Sequence, residues 1–196
     1  MKTSFEEKKD TLYELYDRFE RETMPFRRQA ACKPGCSFCC TFMGNIDILT
    51  LEGLIILEHI DCQPAEFQGV LKKRIAENRT GKEDGLKPPC PFLQADHTCR
   101  IYAIRPFSCR QLYSVRECGD SGPVAHRQAV ESSRATVREM QRLDDTGYSG
   151  HISYILHLLD GPAFRTLYLS GGFAPEQIMK FGKAHGLIIN RLAKQP

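Results

Sequence analysis

The stretch Cys32-Lys33-Pro34-Gly35-Cys36-Ser37-Phe38-Cys39-Cys40 puts four thiols into nine residues, far more than a hydrophobic core needs. Cys32, Cys36 and Cys39 have the i, i+3 or i+4 spacing at which thiolates on a tight turn bind one ion. Pro34-Gly35 lets the backbone fold back there and present N–H groups to sulfur. Adjacent Cys39 and Cys40 are harder to place on one ion, because successive side chains diverge along most backbones. Cys40 therefore serves a second centre or stands by as a redox or reserve thiol. A second island, Cys90, Cys99, Cys109 and Cys118, follows at near-even intervals. Eight cysteines in two islands suffice for two four-thiolate sites, or for one iron–sulfur cluster with thiols left over. Zinc and iron share this ligand chemistry, so the spacing leaves zinc, iron and a [4Fe-4S] cluster all open.

The surroundings favour metal over disulfides. Residues 1–10 lack the apolar stretch of a secretory signal, and the most apolar run, Leu49 to Ile60, is broken by Glu52, Gly53, Glu58 and His59. A cytoplasmic chain with no membrane partner is expected, and in a reducing compartment clustered cysteines are metal ligands or redox groups. Cys62, remote from both islands, reads as a plain buried or half-buried thiol. The net charge of +3, with no run of like charges, disfavours nucleic acid as a partner.

Around the islands the pattern is helical. Thr3 or Ser4 with Glu6 or Glu7 offers a capping box for a helix from Phe5 to Met24, with Leu12, Leu15, Tyr16 and Phe19 on one apolar face and Pro25 as its end. Gly44 to Ile48 is extended, and Thr50 caps a helix through Leu51, Leu54, Ile55, Leu57 and Glu58. Pro64 opens another, Ala65 to Asn78, with Phe67, Val70, Leu71 and Ile75 inward, before an exposed loop from Thr80 to Pro89. Pro91 to Leu93 and Cys99 to Tyr102 form a small β-hairpin, and a short helix runs through Cys109, Arg110 and Leu112. After the breaker Gly119 to Pro123, one helix carries Val130, Ser133, Val137 and Met140, and a second carries Ile152, Ile155, Leu156 and Leu159. A third runs from Ala163 to Leu169 and closes at Gly171-Gly172, and a last one, from Pro175, has Ile178 and Phe181 inside and ends near Gly186. The expected fold is mainly α: a single domain over residues 1–196 with an N-terminal helix (5–24), a cysteine-cluster core (32–118) and C-terminal helices (124–196).

The order of motifs carries a family resemblance. The first island, then Ile46-Asp47-Ile48-Leu49-Thr50-Leu51-Glu52, Cys90-Pro91-Phe92-Leu93, Cys99-Arg100-Ile101-Tyr102, Arg105-Pro106 and Cys109-Arg110 resemble the cysteine-cluster proteins named for a CxxCxxCC motif, also called YkgJ-type. The likeness covers roughly residues 32 to 113 and departs in the first gap, which here holds three residues instead of two. It implies zinc or iron chelation, with Cys36, Cys39 and Cys40 in the first group and Cys90, Cys99 and Cys109 in the second. Cys118 lies beyond it. A related cysteine motif in the flagellin lysine N-methylase implies an alternative, a metal-dependent enzyme modifying a protein side chain. No glycine-rich strand-to-helix segment of a nucleotide-binding fold supports it.

Other residues have two readings. His97 could replace a thiolate or simply be exposed; His126, His151, His157 and His185 suit surface or helix-end positions. Arg105 and Arg110 either offset the negative charge of a thiolate site or pair with carboxylates. Tyr102 and Tyr113 shield the site or belong to the core, and Asp144-Asp145 reads as a helix end. The best-supported function is metal binding through Cys32, Cys36, Cys39, Cys40, Cys90, Cys99, Cys109 and Cys118, in a structural, metal-handling or electron-transfer role. A zinc-stabilised module whose helical tail docks a protein partner is the remaining alternative.

Overall fold

The computed structural model describes residues 4–119 and 122–184, of residues 181 and 182 the backbone alone; Thr3, His185 and Gly186 lie outside the described residues. In chain order it runs α1 (Phe5–Arg27), β1 (Asp47–Leu49), α2 (Thr50–Asp61), α3 (Ala65–Glu83), α4 (Phe107–Gln111), α5 (Arg127–Leu143), β2 (Ser149–His151), α6 (Ile152–Asp160), α7 (Pro162–Leu169) and α8 (Pro175–Ala184). The protein is mainly α, and none of the described helices is long and apolar enough to cross a membrane.

Ser4 opens α1 with the expected reciprocal cap: its hydroxyl accepts the Glu7 N–H at 3.3 Å, and Glu7 Oε2 accepts the Ser4 N–H at 2.7 Å. Leu12, Leu15, Tyr16 and Phe19 are all buried, against Leu51 and Ile55 of α2, Phe107 and Met140. The helix does not end at Pro25. It continues to Arg27, and the Arg28 N–H still reaches Met24 O at 3.1 Å. Proline removes only its own donor, and beyond it the Arg27 guanidinium is lodged between the rings of Phe19 and Tyr113, 5.7 Å from each.

The start of α2 also differs from expectation. Leu49 holds the cap position and Thr50 is the first helical residue. Two buried carboxylates do the capping: Glu52 Oε2 accepts the Leu49 N–H at 2.8 Å and Asp144 Oδ2 accepts the Leu51 N–H at 3.1 Å. Thr50 Oγ1 turns to Tyr148 instead, donating to its carbonyl at 3.1 Å and accepting its N–H at 2.8 Å. That contact sits beside the antiparallel pair β1–β2, which sets Asp47 opposite His151. At Gly53, α2 meets α6 so closely that a Cβ would stand 2.7 Å from Leu159 Cδ1 and 2.9 Å from Ile155 Cγ2.

Helix α3 extends five residues past Asn78, so the first part of the expected loop is helical. Leu71 and Ile75 face inward as expected, but Phe67 and Val70 are exposed. The Phe67 ring lies 4.7 Å from the Arg100 guanidinium, a cation–π contact that occupies it at the surface. In the C-terminal half, Ile152, Ile155, Leu156 and Leu159 of α6 are buried, as is Ile178, while Val130 of α5 is exposed and Ala129, Ser133, Thr136 and Met140 form its inner face. Helix α7 closes as predicted, with Gly171 at φ 69°.

Asp144 ends α5 as its C-cap residue, but its side chain is also buried at the junction, accepting the Tyr168 hydroxyl at 2.6 Å besides the Leu51 N–H. Burial pushes its carboxyl up to about 6. Its contribution to stability is therefore present below the ordinary aspartate range and lost as pH rises through about 6. His151 has the opposite sign: burial pulls its imidazole down to about 4, so its contribution is present above about 6.5 and lost as pH falls toward 4. Asp144→Asn should leave the His151 effect unopposed. The deficit of this variant in melting temperature relative to the parent should grow as pH is lowered from 6.5 to 4; a pH-independent deficit would contradict the assignment.

Candidate metal centre

The first cysteine island is a loop followed by a single π-helical turn, Cys39–Met43. The Ala31 N–H donates to Ser114 O at 2.7 Å, which lays the start of the island beside the segment leading to Cys118. Gly35, at φ 84°, makes the bend that Pro34 prepares, and the Cys36 N–H closes it on Lys33 O at 2.9 Å. Thr41 then ties the π-helical turn back, donating from both its N–H and its hydroxyl to Ser37 O at 3.0 Å.

The second island is fixed to the first through the backbone, since the Cys90 N–H donates to Cys40 O at 2.7 Å. The expected hairpin contracts to one antiparallel bridge, Leu93 to Cys99, with the Arg100 N–H reaching Phe92 O at 2.9 Å. It is too short for strands because Asp96 and His97 turn at once. Asp96 takes both the N–H and the hydroxyl of Thr98, and His97 adopts φ 64°. Helix α3 holds this hairpin through Asn78 Nδ2 on Pro89 O at 2.7 Å and through the Arg74 guanidinium on Leu93 O. Cys109 rides on α4, whose first N–H, that of Phe107, donates to Glu52 Oε1 at 2.7 Å.

This framework gathers the thiols into two overlapping neighbourhoods. The Cys39 thiol is pushed up to about 11, by burial first and then by Cys118, Cys32, Cys40 and Cys36 around it. Cys40 is raised by burial and then by Cys99 and Cys36. Cys90 is pushed up to about 12 by burial, with further contributions from Cys40 and Cys99. Burial raises Cys109 well above its ordinary value, and Cys90, Cys40 and Cys99 add to it. Cys39 thus has Cys32, Cys36, Cys40 and Cys118 as neighbours, and Cys40 has Cys36 as well as Cys90, Cys99 and Cys109, so Cys36 borders both groups; Cys32 and Cys36 are exposed. Cys40, Cys90, Cys99 and Cys109 are all half-buried, the last three packed on the main hydrophobic core. Among the described residues no three His, Cys, Asp or Glu side chains are arranged to hold a metal ion as they stand.

The model of the CxxCxxCC family, described as a putative zinc- or iron-chelating domain, matches residues 31–146. The chain belongs to this family. The family supports metal binding, zinc or iron, by residues 31–146, and the match extends past Tyr113 to take in Cys118. No curated protein and no solved structure matches the chain.

Several neighbours of the cysteines in this CxxCxxCC chain have roles the sequence left open. Arg105 and Arg110 both pair with Glu20 Oε1, at 3.5 and 2.9 Å, so the carboxylate-pairing alternative holds for each. Arg105 does more, since its charge draws the Cys99 thiol down against the larger upward effect of burial. Arg110 is also engaged by the carbonyls of Arg105 and Ala103 and lies 4.5 Å from the Tyr16 ring. His97 is exposed, with Nδ1 3.1 Å from Ser37 Oγ, a link between the two islands. His126 and His151 cap α5 and α6. Tyr102 is exposed and Tyr113 buried. Cys62 is exposed at the end of α2, not buried, because the chain leaves the core there toward Pro64.

Glu52 is the residue that sequence reasoning passed over. It is buried, and besides the N–H groups of Leu49 and Phe107 it accepts the Tyr16 hydroxyl at 2.5 Å. One carboxylate therefore joins α1, α2 and the helix that carries Cys109. Its spacing from Leu49, i to i+3 at a helix start, was the available signal.

Proposed function

We propose that the chain holds two metal centres, one on Cys32, Cys36, Cys39 and Cys118 and the other on Cys40, Cys90, Cys99 and Cys109. The observation that carries this reading is the divergence of Cys39 and Cys40. Adjacent in sequence and close to each other, they have different further neighbours, Cys118 and Cys32 for Cys39 and Cys90, Cys99 and Cys109 for Cys40; Cys36 borders both and is assigned to the first set because it is exposed beside Cys32. The donor chemistry fits zinc or iron: each set has four soft sulfur donors, the complement of a closed tetrahedral zinc site or of an iron–sulfur cluster. Burial of neighbouring thiols disfavours their ionised form, and a bound cation reverses that balance, so ion binding draws the thiols inward and releases protons.

Closed sulfur sets leave no coordination position for a substrate, which favours a structural, metal-handling or electron-transfer role over hydrolysis. The cleft lined by Ser4, Phe5, Lys8, Thr146, Tyr168 and Gly171 contains no cysteine, so it gives the enzyme alternative no support. Anaerobic purification followed by metal analysis and a visible spectrum tests the proposal. Two metal centres per chain are expected, colourless if zinc and brown with labile sulfide if iron–sulfur. Cys62→Ser should leave the count unchanged. A folded, metal-free chain with eight or more titratable thiols would overturn the reading.

A further inference from the structure

The two sets differ in how they are held, and the difference bears on what each does with its ion. Three of the four inner thiols, Cys90, Cys99 and Cys109, pack against the main core, and Cys40 is joined to Cys90 by a 2.7 Å backbone bond. The inner set is further fixed by the Leu93–Cys99 bridge and by α4, anchored at Glu52. In the outer set, Cys32 and Cys36 are exposed, and so are Lys33, Pro34 and Gly35 between them. The loop from Cys32 to Cys36 is closed by one backbone hydrogen bond, Cys36 N–H to Lys33 O.

Resting on the two-centre reading, we propose that the outer set is an exchange site that passes a soft divalent ion to and from external thiolates, while the inner set retains its ion. Exchange at a closed four-thiolate site needs an incoming ligand to reach the ion and a resident ligand able to swing away. Both depend on local opening, which is least costly where few contacts are broken. Cys32 and Cys36 satisfy both conditions. Each incoming thiolate forms one metal–sulfur bond as one cysteine–metal bond breaks, and the freed cysteine takes a proton from water. The metal keeps its oxidation state throughout. The inner set fails the first condition, since its thiols are half-buried or packed on apolar side chains.

The test uses the reduced full-length chain loaded with zinc, its two ions counted by native mass spectrometry, then mixed with an excess of a chromogenic zinc chelator. Release should be biphasic, one ion leaving at least about tenfold faster than the other. Cys36→Ser, at an exposed position, should abolish the fast phase and keep the slow ion, and Cys32→Ser should do the same. Equal release rates for both ions, or loss of the slow ion in Cys36→Ser, would overturn the exchange role and leave two centres standing. Failure to load more than one zinc would overturn the two-centre reading itself.

Discussion

Glu52→Ala should lower the stability of the chain by about 4 kcal/mol, measured by urea unfolding. The substitution strands three buried donors, the Tyr16 hydroxyl and the N–H groups of Leu49 and Phe107. An unsatisfied buried donor costs about 1 to 3 kcal/mol, and relaxation of the cavity recovers part of the sum. Glu52→Gln should cost less, about 2 kcal/mol, because the shape and one acceptor oxygen remain. The loss should also reach the metal. Phe107 is two residues before Cys109, so freeing its N–H loosens α4 and should weaken retention of the inner ion while the outer ion is unaffected. An alanine variant as stable as the parent would show that water replaces the carboxylate, against its burial.

Cys90→Ser should remove one ion and destabilise the chain on the order of 5 kcal/mol. Metal affinity is folding free energy when the unfolded chain has no site, and structural zinc contributes about 10 to 16 kcal/mol in finger peptides that have little else. This chain has its own core around Ile48, Ile56, Ile60, Phe92, Leu156 and Leu159, so it should stay folded with a lower melting temperature. Cys36→Ser should remove the other ion at much smaller cost, because its loop is exposed and adds little to the core. Comparing the two variants by circular dichroism on melting separates the sets through stability alone. Equal losses would mean that both ions brace the fold alike.

Much of this architecture is legible in the sequence because it is local. The first island, the motif order through Cys109, the Ser4–Glu7 cap and the apolar faces of α1, α2 and α6 are written within a few turns each. What sequence hides is long-range. The pairing of Asp47 with His151 joins segments about a hundred residues apart, and no local pattern announces β2 in Ser149-Gly150-His151. The same distance conceals Asp144 as a cap for α2. Pro25 misleads because a proline loses one donor, and packing of the residues around it outweighs that loss in a long helix. Phe67 and Val70 fit an apolar stripe with Leu71 and Ile75, yet α3 turns its outer edge to the surface, where Phe67 meets Arg100. The proposed division of the thiols is half legible: adjacent side chains tend to diverge, which singles out Cys40, but the neighbours of Cys39 and Cys40 depend on where the second island lands.

The most direct measurement is of which thiols share an ion. The chain loaded with cadmium-113 should give two resonances, each correlated with the β-protons of four cysteines. One should connect to Cys32, Cys36, Cys39 and Cys118, the other to Cys40, Cys90, Cys99 and Cys109. A single resonance, or one ion correlated with both Cys39 and Cys40, would contradict the two-centre account.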